Sequence, residues 1–184
     1  GKTTLAELIA QTTHRHFERA NAAAIGVREV REVLDDARKR LEHEQKRTIF
    51  FLDEIHRFSR AQQDVLLGDV ERGIVTLIGA TTENPFFAIN SPLVSRSQIF
   101  QFQPLSEDEI TQIVRRAIAD KERGYGNLDI RITDEAIKHW ARISDGDARR
   151  ALMALEIAVL SRGRSGQVAE WPSGQVEEKR PTDV

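Results

Sequence analysis

Hydrophobic positions recur at two spacings over the first hundred residues and at one spacing after them. Thr48-Ile49-Phe50-Phe51-Leu52-Asp53 and Ile74-Val75-Thr76-Leu77-Ile78-Gly79-Ala80 are short, near-continuous apolar runs rich in β-branched and aromatic residues. Such runs predict strands covered on both faces, over 48–53 and 74–80, and a weaker run predicts a third over 99–103. Between them, apolar residues at helical spacing predict helices over 3–20, 27–45 and 59–68, the first with Leu5, Leu8 and Ile9 as its apolar side. Strands alternating with helices predict an α/β core with a parallel sheet, over residues 1–104. Beyond it only the helical period persists. Ser106 followed by Glu109 is a capping box and predicts a helix from there to about Glu122, where Gly124-Tyr125-Gly126-Asn127 breaks the pattern. Thr133 or Asp134 caps a second helix through Ile143. Asp147 caps a third, whose apolar stripe is Ala151, Leu152, Leu155 and Val159. Residues 105–163 therefore read as a small all-helical unit. From Arg164 the composition turns to Ser, Gly, Pro and charge, so 164–184 reads as a linker or tail with Trp171 its only large anchor.

Composition narrows the picture. With 184 residues, 40% hydrophobic and 30% charged, the chain can bury one good core or one and a half small domains. A net charge of −2 gives no global basic field for nucleic acid and leaves only local patches. Arg38-Lys39-Arg40 with Lys46-Arg47 is one such patch, read first as a solvated helix face. There is no cysteine, which excludes a disulfide framework and thiolate metal sites. No apolar run approaches the roughly 18 residues of a membrane span, and the N-terminus lacks the pattern of a signal peptide.

The chemistry concentrates in two places. Gly1-Lys2-Thr3-Thr4 opens a helix in the manner of the second half of a phosphate-binding loop. There a lysine reaches phosphate oxygens, a hydroxyl ligates Mg²⁺, and the helix N-terminus supplies backbone donors. The glycine-rich half of such a loop is expected immediately before Gly1, so the chain reads as N-terminally truncated. About fifty residues on, four apolar residues run into Asp53-Glu54. Two adjacent acids at the end of a buried strand are costly unless they face a ligand or a metal. Asp53 is the candidate Mg²⁺ ligand and Glu54 the candidate base that orients and deprotonates an attacking water. His56 has no second histidine at ligand spacing and reads as a packing or network residue. Phe86-Phe87 reads as core or loop anchoring before it reads as a base-stacking platform.

These motifs together resemble the AAA+ ATPases. Asp53-Glu54-Ile55-His56-Arg57-Phe58, then Ala61-Gln62-Gln63-Asp64, Gly79-Ala80-Thr81-Thr82-Glu83-Asn84-Pro85-Phe86-Phe87 and Ser91-Pro92-Leu93 resemble one branch, the replication-associated recombination protein A family. That branch is akin to clamp-loader subunits and to the Holliday-junction branch-migration motor. The resemblance covers residues 1–163. It implies a P-loop NTPase core followed by a helical lid, binding ATP and Mg²⁺. Thr82 resembles the sensor that positions water near the γ-phosphate, with Thr81 and Asn84 as near alternatives. Ser95-Arg96-Ser97 resembles the Ser-Arg-Cys element of clamp loaders, with Ser97 in place of the cysteine, and Arg96 would be an arginine finger acting on a neighbouring subunit's ATP. Gly146-Asp147-Ala148-Arg149 resembles the second sensor. Arg149 is favoured there over Arg150 on the motif.

The family further implies a DNA-stimulated ATPase of stalled replication forks, DNA ends or gaps, active in recombination and repair. Single-stranded-DNA-binding protein would be a partner, and a C-terminal region would build a tetramer. The setting would be cytoplasmic and nucleoid-associated, with no membrane. A clamp-loader-like or branch-migration subunit is the rival within the class, and a non-hydrolysing AAA+ scaffold the rival outside it. The intact Asp53-Glu54 and Arg96 argue for hydrolysis, although a fragment without its neighbouring parts could be weak or inactive.

Overall fold

The computed structural model describes residues 1–162, so the expectations for the 164–184 tail and Trp171 lie outside the described residues. The chain divides into two compact units, Gly1–Phe100 and a second beginning at Gln101.

In the first unit, helix α1 (Lys2–Thr12) leads to strand β1 (His16–Asn21), helix α2 (Val27–Glu44) and strand β2 (Thr48–Asp53). A single 3-10 turn (Ile55–Arg57), helix α3 (Arg60–Glu71), strand β3 (Val75–Gly79) and two short helices, α4 (Pro85–Ala88) and α5 (Ser91–Val94), complete it. The strands pair in parallel in the order β1-β2-β3, with Asn21 opposite Asp53 and Leu52 opposite Gly79. Side chains alternate across a strand, so the central strand feeds two layers. Phe50 and Leu52 pack with Val30, Leu34 and Ala37 of α2 and Leu66 of α3. Phe51 points the other way, against Ala6 of α1 and Ala80, and stacks on Phe17 with ring centroids 6.2 Å apart. Burial on both faces is why β2 reads as an unbroken apolar run.

Three expectations need correction here. The helix expected over 3–20 ends at Thr12, and His16–Asn21 is a strand. Its polar residues conceal it. Glu18 and Arg19 sit in a half-buried edge strand, where Arg40 bonds both Glu18 (3.3 Å) and the buried Thr48 hydroxyl (2.8 Å). α1 turns Ala6 and Ala10 inward and leaves Leu5, Leu8 and Ile9 exposed. The strand expected over 99–103 does not form. A strand needs a paired backbone neighbour, the segment has none, and Ile99, Phe100 and Phe102 stand exposed.

Arg38-Lys39-Arg40 is a solvated helix face only at Lys39, because Arg38 and Arg40 are half-buried in bonds to neighbouring elements. Arg38 grips the buried Asp69 of α3 through two bonds of 3.0 and 2.7 Å, and Lys39 meets Asp36. Pairing with Asp69 holds the Arg38 guanidinium above its usual range.

Among its described residues the regular elements of the second unit are all helices: α6 (Glu107–Ala119), α7 (Asp134–Ile143) and α8 (Ala148–Arg162). Ile110, Val114, Ile137, Ala141, Ala151 and Leu155 form one buried cluster, with Leu152 and Val159 packed against it. Ser106 and Glu109 form the expected capping box, Thr133 caps α7, and the Asp147 carboxylate accepts from the Arg149 N–H. α6 stops at Ala119, short of Glu122, because the Asp120 carboxylate takes the N–H groups of Glu122 and Arg123. Gly146, at φ 74°, packs so closely on Pro104 that a Cβ there would stand 2.5 Å from the proline ring. Only glycine meets both demands.

Candidate active site

In open parallel α/β sheets, ligands bind beyond the carboxyl ends of the strands. Here those ends bring together Asn21, Asp53-Glu54 and Ala80-Thr81. The chain crosses between them by backbone bonds: Ala22 N–H to the Asp53 carbonyl, Ala80 N–H to Leu52, and Ile55 N–H to Ala80, all 2.9–3.0 Å. The start of α1 reaches the same edge. The Lys2 ammonium donates to the Thr81 carbonyl at 2.9 Å, across 79 residues of sequence. Gly1 is the N-cap of α1, its carbonyl accepting from Leu5, while Thr3 is half-buried and Thr4 exposed.

Asp53 ends β2 half-buried, and its carboxylate accepts the N–H of Glu54 at 3.2 Å. Glu54 then adopts a left-handed backbone, φ 53°. For a residue with a Cβ this costs about 1–2 kcal/mol, and such strain gathers at functional positions. The turn that follows is seated by Gly79. A Cβ at that position would approach Ile55 Cδ1 to 3.0 Å, so the glycine lets the buried Ile55 settle against β3.

His56 bears out its reading as a network residue. Its side chain is 7% exposed, and Nδ1 lies 2.9 Å from the Thr81 hydroxyl. Its Nε2 lies 3.3 Å from Glu54 Oε2 and 3.7 Å from Glu83 Oε1. The Thr81 hydroxyl also accepts the Glu83 N–H at 3.0 Å. Of the three sensor candidates, Thr81 is therefore the one bonded into this cluster. Thr82 is exposed, and the Asn84 side chain caps α4 by accepting from Phe86 N–H. Thr81's partners and the reach of Glu83 escaped sequence reasoning, although Thr-x-Glu after a strand is a side-chain turn signal that could have drawn attention to them.

The segment carrying Arg96 is pinned from below. Buried Gln63 donates to the carbonyls of Phe58 and Ala88 and accepts from Asn90 N–H. Asn90 in turn donates to Arg60 O and Asp64. This explains why Gln63, Asp64 and Ser91-Pro92-Leu93 belong to one motif. Arg96 itself is exposed, paired with Glu71 at 2.9 Å and bonded to Pro92 O at 3.0 Å. Phe86 and Phe87, expected as core or anchors, are 67% and 84% exposed and serve as neither. Arg149 and Arg150 are both exposed on the first turn of α8, within the second unit.

Comparison with known proteins agrees with this geometry. Residues 1–105 match the family described as ATPase family associated with various cellular activities (AAA). The chain is 47% identical over 157 residues to replication-associated recombination protein A of Escherichia coli K12, covering 85% of this chain and 35% of that protein. It is 42% identical over 161 residues to the Bacillus subtilis protein of the same name, covering 88% of this chain and 37% of that one. It is 39% identical over 184 residues to ATPase WRNIP1 of Dictyostelium discoideum, covering 99% of this chain and 20% of that protein. The chain thus spans about a third or less of the curated relatives it matches. A RuvB variant structure from Thermotoga maritima shares the fold, with a TM-score of 0.70 at 25% identity over 89% of this chain and 52% of that one. The likeness to replication-associated recombination protein A read from the motifs is borne out.

Proposed function

The chain belongs to the ATPase family associated with various cellular activities, and from that premise we propose that it is the ATP-hydrolysing module of a DNA-dependent ATPase of replication-fork maintenance, recombination and repair. One observation carries the chemical part of the reading. Lys2 at the start of α1 bonds Thr81 at the edge where Asp53-Glu54 ends β2, so the candidate phosphate, metal and base groups belong to one site.

Lys2 and the N–H groups of Gly1, Lys2, Thr3 and Thr4 at the start of α1 bind phosphate oxygens. To do so Lys2 exchanges its bond to the Thr81 carbonyl for one to phosphate, so nucleotide binding is felt directly at the end of β3. Thr3 and Asp53 offer a hydroxyl and a carboxylate, an all-oxygen donor pair that suits Mg²⁺. When bound there, the ion would neutralise charge on the phosphates. Glu54 orients a water for in-line attack on the γ-phosphorus and takes its proton, while the bond to the β-phosphate oxygen breaks to give ADP and phosphate. Thr82, or Thr81 beside it, senses the γ-phosphate. Arg96 acts as the finger for a neighbouring subunit's nucleotide, which requires an oligomer, a tetramer in the family's pattern, and Arg149 acts as the second sensor.

The names of the relatives support a role associated with replication and recombination; single-stranded-DNA-binding protein and forked or gapped DNA as partners, in a cytoplasmic, nucleoid-associated setting, are part of the proposal. Among the described residues no helix is long and apolar enough to cross a membrane. The likeness to RuvB supports the fold and gives less support to a branch-migration subunit, because the relatives at 42–47% identity carry the other name. The test is ATP turnover of the protein in its natural reading frame, with and without forked or gapped DNA. Turnover raised several-fold by such DNA supports the reading, and nucleotide binding with no turnover under any condition replaces it with the scaffold reading.

A further inference from the structure

We propose that His56 is a positioning residue that holds the Glu54 carboxylate in its working orientation and ties that orientation to the turn after β3. The inference rests on the reading of Glu54 as the base.

One chain of hydrogen bonds links Glu83, Thr81, His56 and Glu54. The Glu83 N–H donates to the Thr81 hydroxyl oxygen at 3.0 Å. The Thr81 hydroxyl, 2.9 Å from His56 Nδ1, can donate its proton to that nitrogen while accepting from Glu83. With Nδ1 accepting, the ring proton resides on Nε2, which faces Glu54 Oε2 at 3.3 Å. The opposite tautomer would aim a lone pair at a carboxylate. The tautomer is thus set by the Glu54 carboxylate, which can only accept, and the Thr81 hydroxyl complements it on the far side of the ring. A 7% exposed ring cannot swing out to water. Glu54, on a strained left-handed backbone at the end of β2, gains from His56 a side-chain anchor on the neighbouring strand's turn.

The second half of the proposal follows from Lys2. The carbonyl it holds belongs to Thr81, the residue whose hydroxyl bonds His56 Nδ1. Movement of Lys2 toward a phosphate therefore alters the anchor of the very residue on which the orientation of Glu54 depends. Glu83, 3.7 Å from Nε2 and more than half exposed, is a competing acceptor for the same N–H. His56 can turn its proton to either acid, and Thr81 decides the geometry from which it does so.

The test separates the two ring nitrogens. The amide of glutamine can replace the Nε2–H donor toward Glu54. The shorter asparagine can replace only the contact to Thr81. His56→Gln, His56→Asn and Thr81→Val are measured beside the wild type in the natural reading frame for ATP turnover, ATP affinity and melting temperature. The expected result is that His56→Gln loses least. His56→Asn and Thr81→Val lose kcat by roughly 10–100-fold, the range for residues that orient a reactive group. ATP affinity of the two His56 variants stays unchanged, and Thr81→Ser restores the rate lost in Thr81→Val. Equal losses in His56→Gln and His56→Asn that follow their melting temperatures would overturn the inference alone, leaving Glu54 as the base. A wild type that binds ATP and never hydrolyses it would overturn the reading of Glu54 and the inference with it.

Discussion

Gly79→Ala is a one-carbon perturbation on the strand next to Glu54, and its effect can be worked out from the packing. The added Cβ would stand 3.0 Å from Ile55 Cδ1 and 3.3 Å from its Cγ2. Comfortable carbon contacts are about 3.5–4.0 Å, so Ile55 must give by a few tenths of an ångström. It is 4% exposed, inside the cluster formed by Phe50, Leu52 and Leu66. Overpacking of this kind costs about 1–3 kcal/mol. Against it stands about 0.5–1 kcal/mol, because alanine loses less backbone freedom than glycine on entering a strand. The net destabilisation is about 0.5–2 kcal/mol, a melting-temperature drop of about 1–8 °C for a protein of this size. Activity falls further than stability does. Ile55 adjoins both Glu54 and His56, so its shift reaches the turn that carries the base; a misplacement of about 1 Å can cost roughly 100-fold and a smaller one correspondingly less. Ile55→Val deletes Cδ1, the atom in the way, and alone costs about 0.5–1.5 kcal/mol. The assay is a double-mutant cycle by thermal melting monitored by circular dichroism, with ATP turnover measured on the same four proteins. The double variant is expected to melt higher than the sum of the single effects allows, by roughly 1 kcal/mol of coupling, and to regain turnover. Strict additivity, or a Gly79→Ala protein as stable and active as the wild type, would refute the claim that Gly79 seats the catalytic turn.

Three further outcomes are expected. Arg96→Ala and Glu54→Gln each abolish turnover alone, but mixed subunits of the two regain part of it, because one supplies the finger and the other the base; no recovery on mixing counts against a site shared between subunits. Glu109 and Asp120 titrate below the ordinary carboxylate range, Glu109 through its bonds to the Ser106 backbone and hydroxyl and Asp120 through the N–H groups of Arg123 and Glu122. Depressed folded-state values mean stability that is present above the unfolded values and lost as pH falls through the folded ones, so the helical unit should hold its stability down to about pH 4.5 and lose it below. Ser106→Ala should flatten part of that acid-side loss, as seen in melts between neutral pH and pH 3. Asp69→Ala leaves the Arg38 guanidinium facing a void between α2 and α3; its 37% exposure lets water soften the loss, so about 2–3 kcal/mol is expected by urea titration, and a loss within the roughly 0–1 kcal/mol typical of surface pairs would contradict a clamping role.

The parts of the fold that were legible in the sequence are those fixed by local chemistry. The run from Thr48 to Asp53 could be read because β2 is buried on both faces, and Ser106, Thr133 and Asp147 announced their helices through their own side chains. β1 was hidden because its stability is non-local: Glu18 and Arg19 suit a helix as well as an edge strand until Arg40 and β2 lie beside them. The 99–103 segment failed in the opposite way. Its composition suits a strand, but pairing, not composition, makes one. At the site, Asp53-Glu54 and Lys2 were visible because charges at such positions need a reason. The role of Thr81 was left open among three candidates, since choosing between adjacent threonines requires knowing which hydroxyl faces His56.

The most direct measurement of the central claim is a paired assay on Glu54→Gln and wild type in the natural reading frame, reading ATP binding and ATP hydrolysis on the same samples. Glutamine keeps the size and polarity of the side chain and removes the base. Unchanged ATP affinity with hydrolysis reduced by two orders of magnitude or more, about what a positioned base contributes, is the predicted result. A variant that hydrolyses ATP at the wild-type rate would contradict the assignment of Glu54, and with it the account of this sheet edge as a hydrolytic site.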